Sequence, residues 1–167
     1  MQNLDLMPIN CKGNVQKIDA ILKKIAEIVM KTLHDTFAYL GEQCVVRIRD
    51  RSAEESWIDQ TGNLRSSIGY AVLDRGRKVI ESSFNVILGG TEGPVESRKY
   101  IDELARQYAE TYALVVVAGM SYAEYVEAID GKDVLASTEL WAKAKIGDYI
   151  RRAQDKAIKE INKLLSA

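Results

Sequence analysis

A single histidine, two cysteines and a few paired carboxylates are the groups in this chain most able to do chemistry. His34, in "TLHDTF", has Asp35 beside it, so any Ser-His-Asp or Cys-His system would have to be built on it. No Gly-x-Ser-x-Gly elbow supplies the nucleophile such a system needs. Cys11 and Cys44 stand far apart with no Cys-x-x-Cys, and with one histidine they are a poor donor set for zinc. His34 therefore reads as a helix-surface residue. "LGGTEG", the only Gly-rich loop, lacks the Gly-Lys-Ser/Thr ending of a phosphate cradle, and Pro94 follows its third glycine. Glu54–Glu55 and Asp102–Glu103 are adjacent pairs, and adjacent residues on a helix diverge by about 100°. They read as solvated faces. "RIRDR", residues 47–51, and the lysines of the last 30 residues are the nucleic-acid signals, but no aromatics interleave with them. They too read as solvated. These residues predict no catalytic centre, no cofactor, no metal and no small-molecule substrate. The rival reading is a metal-dependent nuclease built from scattered acids, a kind of site that rarely shows in sequence.

The totals point the same way. Lys and Arg number 23 against 24 Asp and Glu, a net charge of −1, where an obligate nucleic-acid binder shows a basic excess. "MQNLDLMPINCKG" has no basic segment followed by an apolar one, which predicts no secretory signal. The longest apolar run, "YALVVVAGM", falls far short of the ~20 residues a membrane span needs. Two isolated cysteines predict synthesis in a reducing cytoplasm.

What could position a working surface? Apolar residues at Val15, Ile18, Leu22, Ile25, Val29, Leu33, Phe37 and Leu40 have helical spacing, predicting a first helix over 14–40 with Asn14 as its N-cap. Gly41 ends or kinks it. "EQCVVRIRDR" then either resumes the helix or passes as a strand. After Asn63 the period becomes two, with Ile68, Tyr70 and Val72 on one face and Gly69 and Ala71 on the other. "DRGR" offers a hairpin loop with Gly76 in the left-handed region. "KVIESSFNVIL" returns, placing Ile80, Ser82, Phe84, Val86 and Leu88 on one face. Residues 89–97 read as a mobile loop, about 97–110 as a helix, and 113–119 as an interior strand apolar on both faces. "SYAEYVEAID" fits a short helix or a bulged strand. Ser137 caps a last helix to about Leu165, with Ile150, Ala153, Ala157, Ile161 and Leu164 as its stripe. The expected architecture is one α+β domain, with an antiparallel sheet region over about 64–136 flanked by long N- and C-terminal helices.

Helices of roughly 40 Å are large for so small a sheet, so some of their apolar surface should pack helix on helix or against another subunit. Residues 50–136 carry a net charge of −6 and residues 137–165 carry +3. A subunit with differently charged ends suits head-to-tail association.

"DQTGNLRSSIGYAV", followed some fifty residues later by "VVVAGMSYAEYVE", resembles a family of minor structural proteins of tailed bacteriophages. That family is the gene-product-ten family of lambdoid phages of the HK-ninety-seven type. The residues that carry the likeness are Thr61, Gly62, Leu64, Arg65 and Ser67, then Gly119, Tyr122, Ala123, Tyr125, Val126 and Glu127. The resemblance implies a non-enzymatic virion component of a phage or prophage, made in the bacterial host cytoplasm. Such a component joins head to tail or completes the tail as a homo-oligomeric ring. Its partners would be copies of itself and neighbouring neck or tail proteins. Membrane and sequence-specific nucleic acid are not among them.

Within that frame the candidate interface residues are Arg65, Tyr122, Tyr125 and Glu127. Two readings of the first stretch compete. In one, Thr61 and Asn63 cap a turn, Gly62 gives backbone freedom, Leu64 fills the core and Arg65 is solvated. In the other, Arg65 bonds a carboxylate within the subunit or across to a neighbour, and its loss impairs assembly more than folding. Tyr122 and Tyr125, three apart, suit core packing first and interface anchoring second.

Overall fold

The computed structural model describes residues 12–52, 54, 56–129 and 132–166. The N-terminal segment with Cys11, and Glu55 of the first acidic pair, lie outside them. The architecture is α+β: a three-stranded antiparallel sheet with long terminal helices. Helix α1 (Lys12–Arg49) leads through a loop to the single turn α2 (Asn63–Ser66). Strands β1 (Ile68–Asp74) and β2 (Arg77–Glu81) form a hairpin, α3 (Glu92–Gln107) crosses back, and β3 (Tyr112–Ala118) completes the sheet. A short α4 (Ala123–Ala128) leads to α5 (Ala136–Leu165).

Period two on β1 sorts the core into two layers. Ile68, Tyr70 and Val72 face Val45 and Ile48 of α1, with Trp57 of the loop and Leu64 of α2 beside them. Ala71 and Leu73 face α3, with Ile101 and Ala105. The hairpin loop is Arg75–Gly76, both with positive φ (48° and 75°), as a two-residue turn between twisted strands requires.

Several expectations are corrected. Helix α1 does not stop at Gly41; it runs on to Arg49, and its start at Lys12 leaves Asn14 inside the helix. Gly41 is there for close approach, since a Cβ on it would lie 2.4 Å from Cδ2 of Tyr70. In a free helix Gly→Ala stabilises by about 1 kcal/mol. Gly41→Ala is expected instead to destabilise by about 1–3 kcal/mol through overpacking. Denaturant titration of Gly41→Ala, Tyr70→Leu and the double variant checks this, because the double should recover most of the loss.

The return strand ends at Glu81, and Ile80 and Phe84 fall on opposite sides of the sheet. The reason is a hydroxyl that stands in for backbone. Ser82 donates its N–H to the Tyr70 carbonyl at 3.0 Å, while the Tyr70 N–H is taken by Ser82 Oγ at 3.0 Å rather than by a carbonyl. The ladder closes there, and Phe84, with φ 51°, places its ring over Gly69 on the α3 side.

The supposed mobile loop already belongs partly to α3, with Gly93 and Pro94 buried in its first turn, where proline gives up no helical hydrogen bond. "YAEYVE" is helix α4, and α5 begins at Ala136, one residue before Ser137. The run 113–118 is not an interior strand. The order β2-β1-β3 makes β3 an edge. Its unbroken apolar character reflects cover by α1 on one face and α3 on the other, not a strand on each side.

Candidate subunit interface

The two sequence stretches meet. Asp59 Oδ1 accepts the Gly62 N–H and Oδ2 the Arg65 N–H, each at 2.9 Å, so one carboxylate caps α2. Asn63 and Glu92 exchange hydrogen bonds at 3.2 and 3.3 Å, tying α2 to the start of α3. Tyr122 lies beside Thr61, which brings the start of α4 next to the same loop. Leu64 is buried in the core, as the first reading of this stretch had it.

Among the described residues the Arg65 guanidinium bonds no carboxylate. Its Nη1 donates to the Arg49 carbonyl, and further, longer bonds reach the carbonyls of Arg51 and Trp57 at 3.4–3.5 Å. Its guanidinium lies 5.1 Å from the Trp57 ring centroid. A positive fork thus closes the C-terminal end of α1, where carbonyls lack helical partners and the dipole favours a cation. Glu127 also works inside the chain: its Oε1 accepts the N–H groups of Leu135 (3.0 Å) and Ala136, the cap of α5. Tyr122 is 38% exposed and Tyr125 71%, so Tyr125 is no core residue. Of the four candidates, these tyrosines are the ones that face outward.

The residues thought solvated turn out to be joints. Arg47 lies over the Trp141 ring, and Arg49 donates to the Ile68 carbonyl at 2.6 Å. Arg51 is mostly buried and reaches the Asp133 carboxylate and carbonyl, each at 2.7 Å, as well as the Thr138 hydroxyl. Asp102 pairs with Lys78 at 2.8 Å, in a network with Glu81 and Arg98 that ties α3 to β2. His34 is half-buried, stacked on Tyr112 with ring centroids 5.7 Å apart.

Burial pushes the Asp133 carboxyl up, but the hydroxyl and N–H of Ser137, with the Arg51 guanidinium, outweigh it and hold the group below its usual value. A depressed carboxyl stabilises the fold above its unfolded pKa of about 4, and that contribution is lost as pH falls through the folded value. Asp133→Asn is expected to cost about 2 kcal/mol at neutral pH and to flatten the fall in melting temperature below about pH 4. Calorimetric scans of both proteins across pH 3–7 check it.

Sequence reasoning missed a groove. Helix α5 packs against α1 but makes little contact with the sheet, and it overhangs the open side of β3. Between them lies an apolar cavity of about 550 Å³. Phe37, Leu40, Cys44 and Ile48 of α1 line it, with Leu114 and Val116 of β3 and Leu135, Ala142 and Ile146 from the α5 side. The bonds Gly119 N–H to Ser67 O and Arg75 N–H to Thr111 O fix which β3 residues turn inward. Tyr112, Leu114, Val116 and Ala118 then point their backbone groups outward along the groove side.

A second unfilled surface sits at the other end of α1. The contacts Arg47–Trp141, Tyr39–Tyr149 and Asp35–Lys156 run antiparallel at a near-constant register, which puts Leu165 level with Lys24. Residues 12–23 of α1 extend beyond the end of α5, and every side chain from Val15 to Lys24 is exposed. Among the described residues no helix is long and apolar enough to cross a membrane, and no three His, Cys, Asp or Glu side chains group to hold a metal ion. Comparison of the chain with protein-family models, with curated proteins and with solved structures finds no match.

Proposed function

We propose that this chain is a non-enzymatic structural subunit that acts by associating with copies of itself and with neighbouring proteins. On the resemblance of its two motif stretches, its place is the head–tail junction of a tailed phage or prophage, as one subunit of a joining or tail-completion ring. The observation that carries association is the bare end of α1. Val15, Ile18 and Leu22 are 52–57% exposed, on the end of α1 that runs past α5. An isolated helical stretch of this length is marginal in water, and its stability comes from packing an apolar face. The motif residues support the reading differently: Asp59, Arg65 and Glu127 lock loops and helix ends into a rigid frame, which suits a subunit whose work is to hold shape. The rival nuclease reading gains no converging set of carboxylates among the described residues.

Immunogold electron microscopy on particles from an induced lysate of the source strain tests the placement. Gold is expected at the neck or upper tail. Abundant protein in the lysate with no gold on intact or disrupted particles would remove the virion reading.

A further inference from the structure

We infer that the bare end of α1 pairs antiparallel with the same end of a second copy, so that two α1–α5 helix pairs form a four-helix bundle about a two-fold axis. The inference rests on the reading above, that the chain works by association, and it names the surface, the partner and the symmetry.

The surface is half of a longer one. An apolar stripe stepping by three or four runs the length of α1. From Leu40 through Cys44 to Ile48 the body of the protein buries it. Toward the other end the same stripe is open, with Val29, Leu22, Ile18 and Val15 37–57% exposed. Helix α5 continues that open face. Lys143 lines the groove beside β3, and steps of three and four from it lead along α5 to Ile158, Ile161 and Leu165. Ile158 and Leu165 are 55% and 59% exposed.

The size suits a second copy. The exposed parts of these apolar side chains, with Ile21 beside them, come to roughly 600 Å² per chain, so pairing removes roughly 1,200 Å², where specific interfaces begin. Two antiparallel helices with one open apolar face lack the opposite layer, and an identical pair supplies it.

The fold sets the direction. From Phe37 onward the stripe's side of α1 belongs to the sheet, which leaves an open length of about 30 Å between Lys12 and Leu33. A copy laid parallel brings its own sheet into the same space. An antiparallel copy places its sheet beyond the first copy's tip.

Charge agrees with that direction. With Leu22 across from the partner's Leu22, Val15 meets the partner's Val29, and Asp19 stands next to the partner's Lys23. Asp19 and Lys23 flank the stripe on the side away from α5, and neither is in an ion pair among the described residues. Lys17 and Lys24 lie on the opposite side of the helix, where they do not face the partner's stripe. Such an isologous contact stops at two copies, so the closing of a ring falls to other surfaces.

Sedimentation velocity and cross-linking test it. Wild type is expected to run as a dimer and Ile18→Glu as a monomer, with the melting temperature of wild type alone rising with concentration. Asp19→Lys is expected to weaken the dimer about tenfold, and adding Lys23→Asp to it should restore the affinity. Leu22→Cys in a Cys11→Ser background, oxidised with glutathione disulfide, is expected to give a disulfide-linked dimer, since Cys44 is buried. Lys24→Cys in the same background should stay monomeric on a non-reducing gel. Wild type that remains monomeric up to its solubility limit overturns the contact. So does an Ile18→Glu chain that dimerises like wild type, or a Lys24→Cys chain that cross-links as fully as Leu22→Cys. A double charge variant no tighter than Asp19→Lys overturns the antiparallel register. Dimers lost in Ile18→Glu, with no gold on particles, would remove the virion reading and leave this contact standing. Gold at the neck, with wild type monomeric at every concentration, would do the reverse.

Discussion

Arg65→Ala is expected to lower the melting temperature by roughly 6–12 °C while any oligomer that survives keeps its normal size. The reason lies in what the guanidinium touches. It donates to the carbonyls of Arg49, Arg51 and Trp57 and stacks on the Trp57 ring. Hydrogen bonds from a charged group each contribute about 1.5–3 kcal/mol, and removal leaves partly buried carbonyls at the α1 terminus without their donor. A total near 3 kcal/mol shifts the midpoint of a chain this size by about 2–4 °C per kcal/mol. Lysine cannot reproduce the fork, so Arg65→Lys should recover less than half of the loss. Differential scanning calorimetry with sedimentation of the same samples decides it. A normal midpoint with broken assembly would mean that Arg65 reaches a neighbour instead. This reverses the order of effects expected from the sequence alone.

The second large effect is at Gly62. Its φ is 73°, and a Cβ there would lie 1.9 Å from the Ile87 carbonyl oxygen. The left-handed conformation costs a side chain about 1–2 kcal/mol. The clash adds more, because the carbonyl belongs to backbone held by Ser66, whose Oγ accepts the Ile87 N–H at 2.7 Å. Gly62→Ala is expected to destabilise by roughly 3–5 kcal/mol, or about 10 °C. Gly89 is the control, since its φ is 79° but nothing lies within 4 Å of its Cβ. Gly89→Ala should therefore cost only the conformational part, about 1 kcal/mol. If both alanines cost the same, the Ile87 segment yields and the loop is softer than its hydrogen bonds imply.

These two positions show what the sequence could carry. Hydrophobic period was enough for the body of α1, the first hairpin strand with its two-residue turn, and α5, because each buries one regular face. It failed where a side chain took over a backbone role. Ser82 ends a ladder that alternation alone would have continued to Leu88, and no pattern of apolar residues reports a hydroxyl in place of a carbonyl. It failed again where coverage and neighbour number diverge, as in β3, an edge strand with two covered faces. Arg65 stood out in the sequence, but its acceptors are backbone oxygens, which every residue supplies and no motif marks. Asp59 and Asp133 were invisible as caps because their partners are main-chain N–H groups whose position depends on the fold. The groove, made by α5 overhanging β3, has no local signature at all.

Helix α1 also has a mechanical consequence. Its 38 residues contain no proline, and its one interior glycine after the first turn, Gly41, lies against the Tyr70 ring. The place where the rod could bend is held by the sheet. A push on the free end near Val15 is therefore transmitted along a lever of about 50 Å to the Arg49–Arg65 joint, with little lost to flexing on the way. A push that a partner gave the α1 tip would then arrive as torque on the loop from Asp59 to Asn63.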